Sequence, residues 1–425
     1  MISAAEQLSA PLDLGLLRFL TCGSVDDGKS TLIGRLLVDT RSVLADALSA
    51  IERTSKRRGH AGVDLSLLTD GLSAEREQGI TIDVAYRYFS TGRRKYIIAD
   101  APGHEQYTRN MVTAGSTAHL AVVLVDARKG VLTQTRRHAC IAHQLGIPHL
   151  VVAVNKMDLV GWSEQVFDRI QADALAVAAR LGIEDVRFIP MSALAGDMVV
   201  ERGDHLGWWH GPTLLEVLER TPAAHVEGAE PFRFPVQWVC RPHSEAHHDF
   251  RGFAGRVESG GVAVGDEVQV LPSGRTSRVK AIWLGDVALR EAVGEQSVLL
   301  QLEDEVDVSR GDLLVRPAEA PAPVREVEAM LCWLAERPLS LVRRYLVRHT
   351  TREIRAQVTG IAWRLDLTAL EQVPAEGLAM NDLGRVSLRL AQPIAADRYA
   401  EVRATGAFIV IDEASNDTVA AGMIL

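Results

Sequence analysis

Gly23-Ser24-Val25-Asp26-Asp27-Gly28-Lys29-Ser30 decides the fold of the first part of this 425-residue chain. The stretch follows an apolar run at residues 16–20 and precedes apolar residues at helical spacing, residues 32–37. A strand, a tight glycine-containing loop and a helix start are the setting that a GxxxxGK[ST] phosphate loop requires. Backbone N–H groups of such a loop can face an anion, and the helix N-terminus adds partial positive charge. We therefore predict a nucleoside triphosphate site.

Lys29 is the residue that we expect to reach the β- and γ-phosphates, while the Ser30 hydroxyl ligates Mg²⁺. The chain has six lysines against 40 arginines, yet it keeps a lysine in this loop. A compact ammonium suits a phosphate point contact better than a bulky planar guanidinium does. The residues predicted to bind the nucleotide here are Gly23, Ser24, Val25, Asp26, Asp27, Gly28, Lys29, Ser30 and Thr31.

A DxxG motif ends a second apolar strand, where Asp100 is followed by Gly103 and then by His104. A carboxylate at the end of a strand beside a phosphate loop can hold Mg²⁺ through a water molecule. The backbone N–H of Gly103 can reach the γ-phosphate. Asp100 and Gly103 are therefore predicted to belong to the same nucleotide site.

The motif Asn155-Lys156-Met157-Asp158 predicts which base is bound. The Asp158 carboxylate can accept hydrogen bonds from guanine N1–H and its exocyclic amine, and adenine offers neither donor there. Binding adenine would leave a buried carboxylate unpaired, which costs orders of magnitude in discrimination. We expect Asn155 to brace the loops and the Lys156 stem to lie against the base. Ser192-Ala193 fits the last guanine contact, in which the Ala193 N–H donates to O6. The motifs together predict that the ligand is GTP.

Thr81 lies in the polar stretch 75–83, between the phosphate loop and DxxG. A threonine at that place can contact Mg²⁺ and the γ-phosphate only when both are present. This is the order–disorder principle of a nucleotide switch. We predict Thr81 as a metal ligand and as a catalytic residue together with Lys29.

Net charge, hydropathy and cysteine spacing argue against several other classes of protein. The net charge is −9 and the isoelectric point about 5.8, which gives no support for nucleic-acid binding. No signal pattern occurs at the N-terminus, and no apolar run approaches the roughly twenty residues that span a bilayer. The four cysteines lie far apart and form no CxxC pair, so free thiols in a reducing cytoplasm are expected.

The chain contains two regions with different hydrophobic patterns. Up to about residue 222, apolar runs alternate with helical patterns, which predicts an α/β domain with a mostly parallel sheet. Beyond it, short β-rich runs separated by glycine-containing turns predict antiparallel β-barrels. The Pro/Ala-rich segment 317–323 reads as a linker between two barrels. The predicted domains are residues 1–226 for nucleotide binding, 227–318 for the first barrel and 319–425 for the second.

Taken together, the motifs resemble the translation-factor GTPases, elongation factor Tu and its relatives. Several details resemble more closely the large GTPase subunits of bacterial sulfate adenylyltransferases. One of them is the Asp26-Asp27 pair, where elongation factors usually carry histidine before the second glycine. The other similar segments, which together extend over nearly the whole chain, are residues 70–76, 78–89, 103–111, 126–131, 134–138, 211–215, 249–255 and 421–424.

The resemblance implies a GTPase domain followed by two β-barrels, paired with a small catalytic subunit as a heterodimer or larger assembly. That subunit makes adenosine 5′-phosphosulfate and pyrophosphate from ATP and sulfate, the first step of sulfate assimilation, and GTP hydrolysis drives the reaction. His104 occupies the position where such GTPases orient the attacking water, with or without acting as a base. Some family members carry a fused adenylylsulfate kinase, which needs its own phosphate loop. These residues contain one such loop, so we expect no kinase activity.

Two alternatives stay open at this point. A translation elongation factor would bind aminoacyl-tRNA in the presence of GTP and would have no effect on sulfate activation. A related protein that serves the sulfation of a specialised metabolite would use the same chemistry in another pathway. The Asp26-Asp27 pair and residues 86–89 argue against the first alternative, and the sequence does not exclude the second.

Overall fold

The computed structural model describes the chain in six stretches, and statements about the fold refer to these. They are residues 15–57, 63–68, 83–104, 107–222, 230–241 and 250–425. The chain divides into two compact units. The first unit holds residues 1–223 with 366–371, and the second holds residues 224–365 with 372–425.

The first unit is built on a six-stranded sheet with the strand order β2-β3-β1-β4-β5-β6. All neighbouring pairs are parallel except β2 with β3, which are antiparallel. The prediction of a mostly parallel sheet is confirmed. The strand bounds are Leu16–Gly23 for β1, Ala85–Ser90 for β2, Lys95–Asp100 for β3, Leu120–Asp126 for β4, His149–Asn155 for β5 and Val186–Pro190 for β6.

Helices connect these strands. Their bounds are Lys29–Asp39 for α1, Ala45–Arg57 for α2, Thr108–Gly115 for α3, Thr133–Gln144 for α4, Glu164–Leu181 for α5 and Leu214–Arg220 for α6, with 3₁₀ turns at Leu65–Leu68 and Met157–Val160. Local sequence explains the helix starts. Ser163 caps α5 by accepting the Val166 N–H, and Thr213 forms a capping box with Glu216 at the start of α6.

The strand ends bring the predicted motifs to one edge of the sheet. All seven residues of β4 are buried, as expected of a parallel strand covered on both faces. The register pairs Thr21 with Asp100 and Asp126 with Asn155, so the carboxyl ends of β1, β3, β4 and β5 lie side by side. In open α/β sheets, ligands bind outside the carboxyl ends of the strands. The fold therefore predicts the site at this edge.

Two antiparallel barrels form the second unit. In the first barrel, β10-β15-β7-β8-β14-β11 form a ring that the β10–β11 pairing closes, and β12 extends β11. Strands β9 and β13 pair separately as a two-stranded sheet. The bounds are Arg233–Cys240 for β7, Gly252–Arg256 for β8, Gly261–Ala263 for β9, Glu267–Leu271 for β10, Arg275–Leu284 for β11, Val287–Leu289 for β12, Glu291–Val293 for β13, Ser297–Leu302 for β14 and Leu313–Val315 for β15.

In the second barrel, β17-β21-β22-β16-β20-β18 form a ring that the β17–β18 pairing closes, and β19 extends β18. Ring closure removes the exposed strand edges of an open sheet. The bounds are Pro323–Trp333 for β16, Tyr345–His349 for β17, Arg352–Asp366 for β18, Glu371–Val373 for β19, Leu383–Ala395 for β20, Ala407–Asp412 for β21 and Thr418–Ile424 for β22, with a short helix α7 at Arg403–Gly406.

The barrel strands differ in length from those that the sequence predicts. Residues 267–271 form β10 as expected, but residues 354–359 and 386–390 are parts of the longer strands β18 and β20. Strand β18 continues through two irregularities in register, which interrupt the two-residue alternation that marks a strand. The segment 317–323 holds a 3₁₀ turn and the first residue of β16. The three domain limits remain predictions.

Among the described residues, no helix is both long enough and apolar enough to cross a membrane. None of the four cysteines, all within the described stretches, is in a disulfide bond. Cys22, Cys140 and Cys332 are buried, and Cys240 is partly buried.

Candidate nucleotide site

The phosphate loop joins β1 to α1, and its backbone requires glycine at position 28. Gly28 has φ +95°, in the left-handed region, and a Cβ there would lie 2.4 Å from the Asn155 Nδ2. Asp26 also has a positive φ, 67°. Glycine adopts this region freely, whereas a side chain at residue 28 would be strained and would collide with Asn155. The loop is thus shaped by backbone conformation and by the neighbouring guanine motif together.

Lys29 lies inside the curve of this loop. Its Nζ donates to the Gly23 carbonyl at 3.1 Å and to the Ser24 carbonyl at 3.4 Å, and the residue is 8% exposed. Gly103 packs against the same place, because a Cβ there would lie 2.5 Å from the Gly23 oxygen and 2.8 Å from the Lys29 Nζ. The structure therefore brings the DxxG motif into contact with the phosphate loop.

Two buried titratable groups near Lys29 are uncharged at neutral pH. Burial raises the pKa of the Cys22 thiol to about 12 and lowers the pKa of His138 to about 3. A neutral thiol adds no negative charge beside Lys29, and a neutral imidazole adds no second positive charge. Asp27 is a carboxyl group whose charge interacts with Lys29.

Asp27 is a buried acid within the phosphate loop. It is 1% exposed; its Oδ2 accepts the Ser24 N–H at 2.6 Å, and its Oδ1 has no partner among the described residues. Burial raises the pKa of this carboxyl to about 6, against the lowering effects of the Ser24 hydrogen bond and of Lys29. The sequence had identified Asp27 as a loop residue, but its inward orientation is a finding of the structure.

Two of the three predicted magnesium ligands, Ser30 and Asp100, lie among the described residues. Asp100 ends β3, is 3% exposed, and its Oδ1 accepts the Thr21 hydroxyl at 3.2 Å. Ser30 lines the cavity beside Lys29. Thr81 lies outside the described residues. No cluster of three His, Cys, Asp or Glu side chains suited to a metal occurs in the described part of the chain. Mg²⁺ needs no such cluster, because it keeps several waters and binds through one or two protein oxygens plus substrate phosphates.

Asn155 links three loops. Its Nδ2 donates to the Asp27 carbonyl at 2.8 Å, and its Oδ1 accepts the Ala193 N–H at 2.9 Å. The bracing function expected of Asn155 is visible in these two bonds. The Ala193 N–H is therefore already engaged, and a bond to guanine O6 requires Asn155 to release or share it. The O6 contact stays a prediction. Ser192 is buried, and its Oγ accepts the Ala195 N–H.

Asp158 carries the feature that fits guanine. Its Oδ1 is buried and has no hydrogen-bond partner among the described residues. An unsatisfied carboxyl oxygen costs free energy, and the two donors on the guanine edge would satisfy it. Lys156 precedes it by two residues in a left-handed conformation, φ 63°. Its Nζ donates to the Asp26 carbonyl, so the Lys156 side chain extends over the phosphate loop.

Asp126 and Arg128 belong to the site, although the motif search assigned them no function. Asp126 ends β4 with a fully buried side chain, and Arg128 donates to it from Nε at 3.0 Å and from Nη2 at 2.6 Å. The Lys156 Nζ lies 3.2 Å from the same carboxylate. Burial by itself raises the pKa of Asp126, but the hydrogen bonds from Arg128 and Lys156 outweigh it and hold that pKa well below its usual range. The signal in the sequence was an Asp-x-Arg pair directly after a buried strand.

These elements surround a cavity of about 550 Å³, a volume suited to a small-molecule ligand. His104 lies on it, as does Ser66, for which the sequence offered no signal. The lining residues are Val25, Asp26, Gly28, Lys29, Ser30, Thr31, Ser66, Gly103, His104, Arg128 and Lys156. Asp158, Asn155 and Ala193 are not among these lining residues. Asn155 is connected to the phosphate loop through Asp27 and to Ala193 by the bonds given above.

Two family models match the chain. Residues 15–223 match the elongation factor Tu GTP binding domain, and residues 326–425 match the GTP-eEF1A C-terminal domain-like family. The fold and the site therefore define a GTP-binding protein of the elongation factor Tu class, as the motifs had indicated.

Two relatives narrow this class. Sulfate adenylyltransferase subunit 1 of Cellvibrio japonicus (strain Ueda107) is 54% identical over 412 residues, 96% of this chain and 86% of the relative. The bifunctional enzyme CysN/CysC of Mycobacterium tuberculosis (strain ATCC 25618 / H37Rv) is 53% identical over 96% of this chain and 67% of its own length. The chain belongs to the sulfate adenylyltransferase subunit 1 family.

Among solved structures, sup35 complexed with GDP is similar over 97% of this chain and 94% of its own, with 24% sequence identity and a TM-score of 0.44.

Proposed function

We propose that this chain is the GTP-hydrolysing subunit of a sulfate adenylyltransferase and acts with a separate, smaller catalytic subunit. The observation that carries the proposal is the 54% identity to a sulfate adenylyltransferase subunit 1 over 96% of the chain. That similarity includes the nucleotide site and both barrels. The designation "subunit 1" of the relative supports a partner subunit, with which we propose a heterodimer or a larger assembly.

GTP hydrolysis is the reaction that we assign to the cavity. A water molecule adds to the γ-phosphorus, and the bond to the β–γ bridging oxygen breaks, which yields GDP and phosphate. We propose that Lys29 and the Gly103 N–H stabilise charge on the phosphates. His104 lies on the cavity, where we propose that it orients the water.

Mg²⁺ is the cofactor that we propose for this reaction. Ser30 and Asp100 would hold it, the latter through water, together with Thr81. When bound, the ion would neutralise charge on the phosphates. The remaining side chains hold the nucleotide: Asp158 reads the base, Lys156 lies over the loop and Asn155 fixes the surrounding backbone.

The partner would carry out the adenylylation. A sulfate oxygen attacks the α-phosphorus of ATP and displaces pyrophosphate, which gives adenosine 5′-phosphosulfate. GTP can drive this unfavourable step only if its state changes an element that the partner contacts, since a ligand shifts an equilibrium through differential interaction. We propose residues 78–83 and the segment after Gly103 as that element. Of these, residues 78–82 and 105–106 lie outside the described residues.

The test combines the full chain with the candidate small subunit and follows pyrophosphate release from ATP and sulfate. We expect release to rise strongly on addition of GTP and to lose this stimulation with a non-hydrolysable analogue. Release that is independent of GTP would contradict the proposal.

An elongation factor is the second candidate, because residues 15–223 match the elongation factor Tu domain. It predicts GTP-dependent retention of aminoacyl-tRNA by the chain. We expect no such retention. Retention combined with no effect on sulfate activation would favour this candidate.

Two further predictions accompany the proposal. We predict a cytoplasmic location, in keeping with the four free thiols. We predict that these 425 residues by themselves have no adenylylsulfate kinase activity, because they contain one phosphate loop. A kinase assay with adenosine 5′-phosphosulfate and ATP would test this directly.

A further inference from the structure

Arg128 is a third cation on the nucleotide cavity, besides Lys29 and Lys156. Its side chain is 46% exposed, so its charge is partly open to the cavity and to solvent. The hydrogen bond that it donates to Asp126 raises the pKa of Arg128, and the carboxylates of Asp158 and Asp26 act on its charge in the same direction. Arg128 lines the same cavity as the phosphate-loop residues Asp26, Gly28 and Lys29.

The guanidinium of Arg128 is held in a fixed direction by Asp126. Two donors, Nε and Nη2, bond to the carboxylate, and the Arg128 backbone N–H donates to the same group at 3.0 Å. A guanidinium carries five N–H donors in a rigid plane, so this pairing leaves Nη1 for another acceptor. Nη1 forms no hydrogen bond with the described part of the chain.

Asp126 connects this arginine to the phosphate loop. The same carboxylate lies 3.2 Å from the Lys156 Nζ, which in turn donates to the Asp26 carbonyl. Two cations share one carboxylate here, so Asp126 alone does not neutralise both. A purely structural ion pair would need only one cation for Asp126.

We propose that Arg128 donates a hydrogen bond to a β-phosphate oxygen of the bound guanine nucleotide, and that Asp126 positions it. This rests on the proposed function, because it requires that the cavity binds GTP. Guanidinium and phosphate form strong charge-assisted bonds. The phosphates are favoured over the base because Asp26, Gly28 and Lys29, which form the phosphate loop, line the same cavity.

The experiment measures the dissociation constants of GMP, GDP and a non-hydrolysable GTP analogue for the full chain and its variants. For Arg128→Gln we expect GDP and the analogue to bind about 10- to 100-fold more weakly, the range of one charge-assisted hydrogen bond. We expect GMP to change less than about twofold, because it lacks the contacted phosphate. Asp126→Asn should weaken GDP more than GMP as well, since it releases Arg128.

Arg169 provides the matched control. It lies exposed on α5, and Arg169→Gln should leave all three constants unchanged. If Arg128→Gln fails to fold, Arg128→Met keeps the apolar stem and should give the same pattern. Equal weakening of GMP and GDP would overturn the proposal in favour of a contact to the guanosine. Unchanged dissociation constants for the Arg128 variants would show that Arg128 only pairs with Asp126 and does not contact the nucleotide.

The wild-type chain separates failure of this inference from failure of the proposed function. Wild-type protein that does not prefer GDP over ADP contradicts the guanine site itself and overturns both. Wild-type protein that binds GDP and supports GTP-dependent pyrophosphate release, with Arg128 variants that bind GDP normally, overturns only the assignment of Arg128.

Discussion

At the scale of single residues, Asp158 offers the sharpest test of nucleotide specificity. We expect Asp158→Asn to weaken GTP binding by roughly 100-fold or more, because an amide cannot accept both guanine donors. Xanthine presents an acceptor where guanine has its exocyclic amine, so xanthosine triphosphate should bind the variant better than GTP. Competition of both nucleotides against a fluorescent GDP analogue measures the two affinities.

Asp173 is the control for this substitution. It is an exposed aspartate on α5, and Asp173→Asn removes the same charge without touching the cavity. Its nucleotide preference should match that of the wild type. An unchanged preference for guanine in Asp158→Asn would show that another group reads the base.

Much of the site could be predicted from sequence because its residues directly follow buried strands. Lys29, Asp100 and Asn155 each follow or end an apolar run, and parallel strands bring those ends to one edge. The pairing of Asp126 with Arg128 and Lys156 depends on side-chain conformations between neighbouring loops. No spacing in the sequence encodes those conformations. The same holds for the engagement of the Ala193 N–H.

At the scale of elements, the contact between the phosphate loop and the DxxG turn depends on Gly103. We expect Gly103→Ala to weaken GDP binding about tenfold, since overpacking costs about 1–3 kcal/mol. The added Cβ would lie 2.5 Å from the Gly23 oxygen and 2.8 Å from the Lys29 Nζ. Gly207→Ala, where a Cβ meets no atom within 4 Å, is the control. Normal GDP affinity in Gly103→Ala would show that the two loops separate when the nucleotide binds.

The phosphate loop also contains a pH-dependent element, Asp27. Burial raises the pKa of its carboxyl from 3.8 to about 6, so the native chain holds this proton to a higher pH than the unfolded chain. Between about pH 4 and pH 6 the native state binds more protons, and its stability therefore falls as the pH rises. Above pH 6 the cost of the buried charge is constant.

Asp27→Asn should remove this cost, because an amide is neutral and its oxygen can still accept the Ser24 N–H. We expect the variant to be more stable than the wild type at pH 7.5, by on the order of 1–3 kcal/mol. The difference should shrink towards zero as the pH falls from 6 to 4. Thermal unfolding of both proteins across this range measures it. A difference that does not depend on pH would contradict a buried, ionised Asp27.

The barrel strands could be predicted from sequence only in part. Alternating apolar residues indicated β10, and the structure confirms it. In β18, irregularities near Gly360 and Trp363 shift the register, so the alternation stops well before the strand does. Ring closure depends on the pairings β10–β11 and β17–β18. Which strands pair is determined by the arrangement of the whole sheet. A local pattern indicates a strand but does not identify its partners.

At the scale of the whole molecule, one buried ion pair joins the two barrels of the second unit. Arg233, at the start of β7, bonds to both carboxylate oxygens of Asp397 at 2.8 Å. The two side chains are 3% and 7% exposed. Asp397 also accepts the Thr405 hydroxyl, and the Arg233 guanidinium donates to the Phe232 and Glu319 carbonyls. The pair is therefore almost completely satisfied by neighbouring groups.

Removal of one partner would leave the other charge buried. We expect Asp397→Asn to lower the free energy of unfolding of the second unit by about 3–5 kcal/mol, because desolvation of Arg233 is then uncompensated. The double variant Arg233→Met with Asp397→Leu should recover most of this loss, since neither charge remains. Thermal unfolding in the presence of GDP measures the effect, because the nucleotide stabilises the first unit and leaves the second to unfold at its own midpoint.

The exposed ion pair Glu326–Arg389 is the control for this prediction. Both side chains are more than 60% exposed at a separation of 3.2 Å, and Glu326→Gln should change stability by less than about 0.5 kcal/mol. Equal effects of Asp397→Asn and Glu326→Gln would show that water reaches the Arg233 pair and that the barrels are joined by other contacts. A large loss in Asp397→Asn with recovery in the double variant would instead show that burial of charge couples the barrels. The second barrel could then not separate from the first without exposing Arg233, so the two would move as one body when the second unit engages a partner.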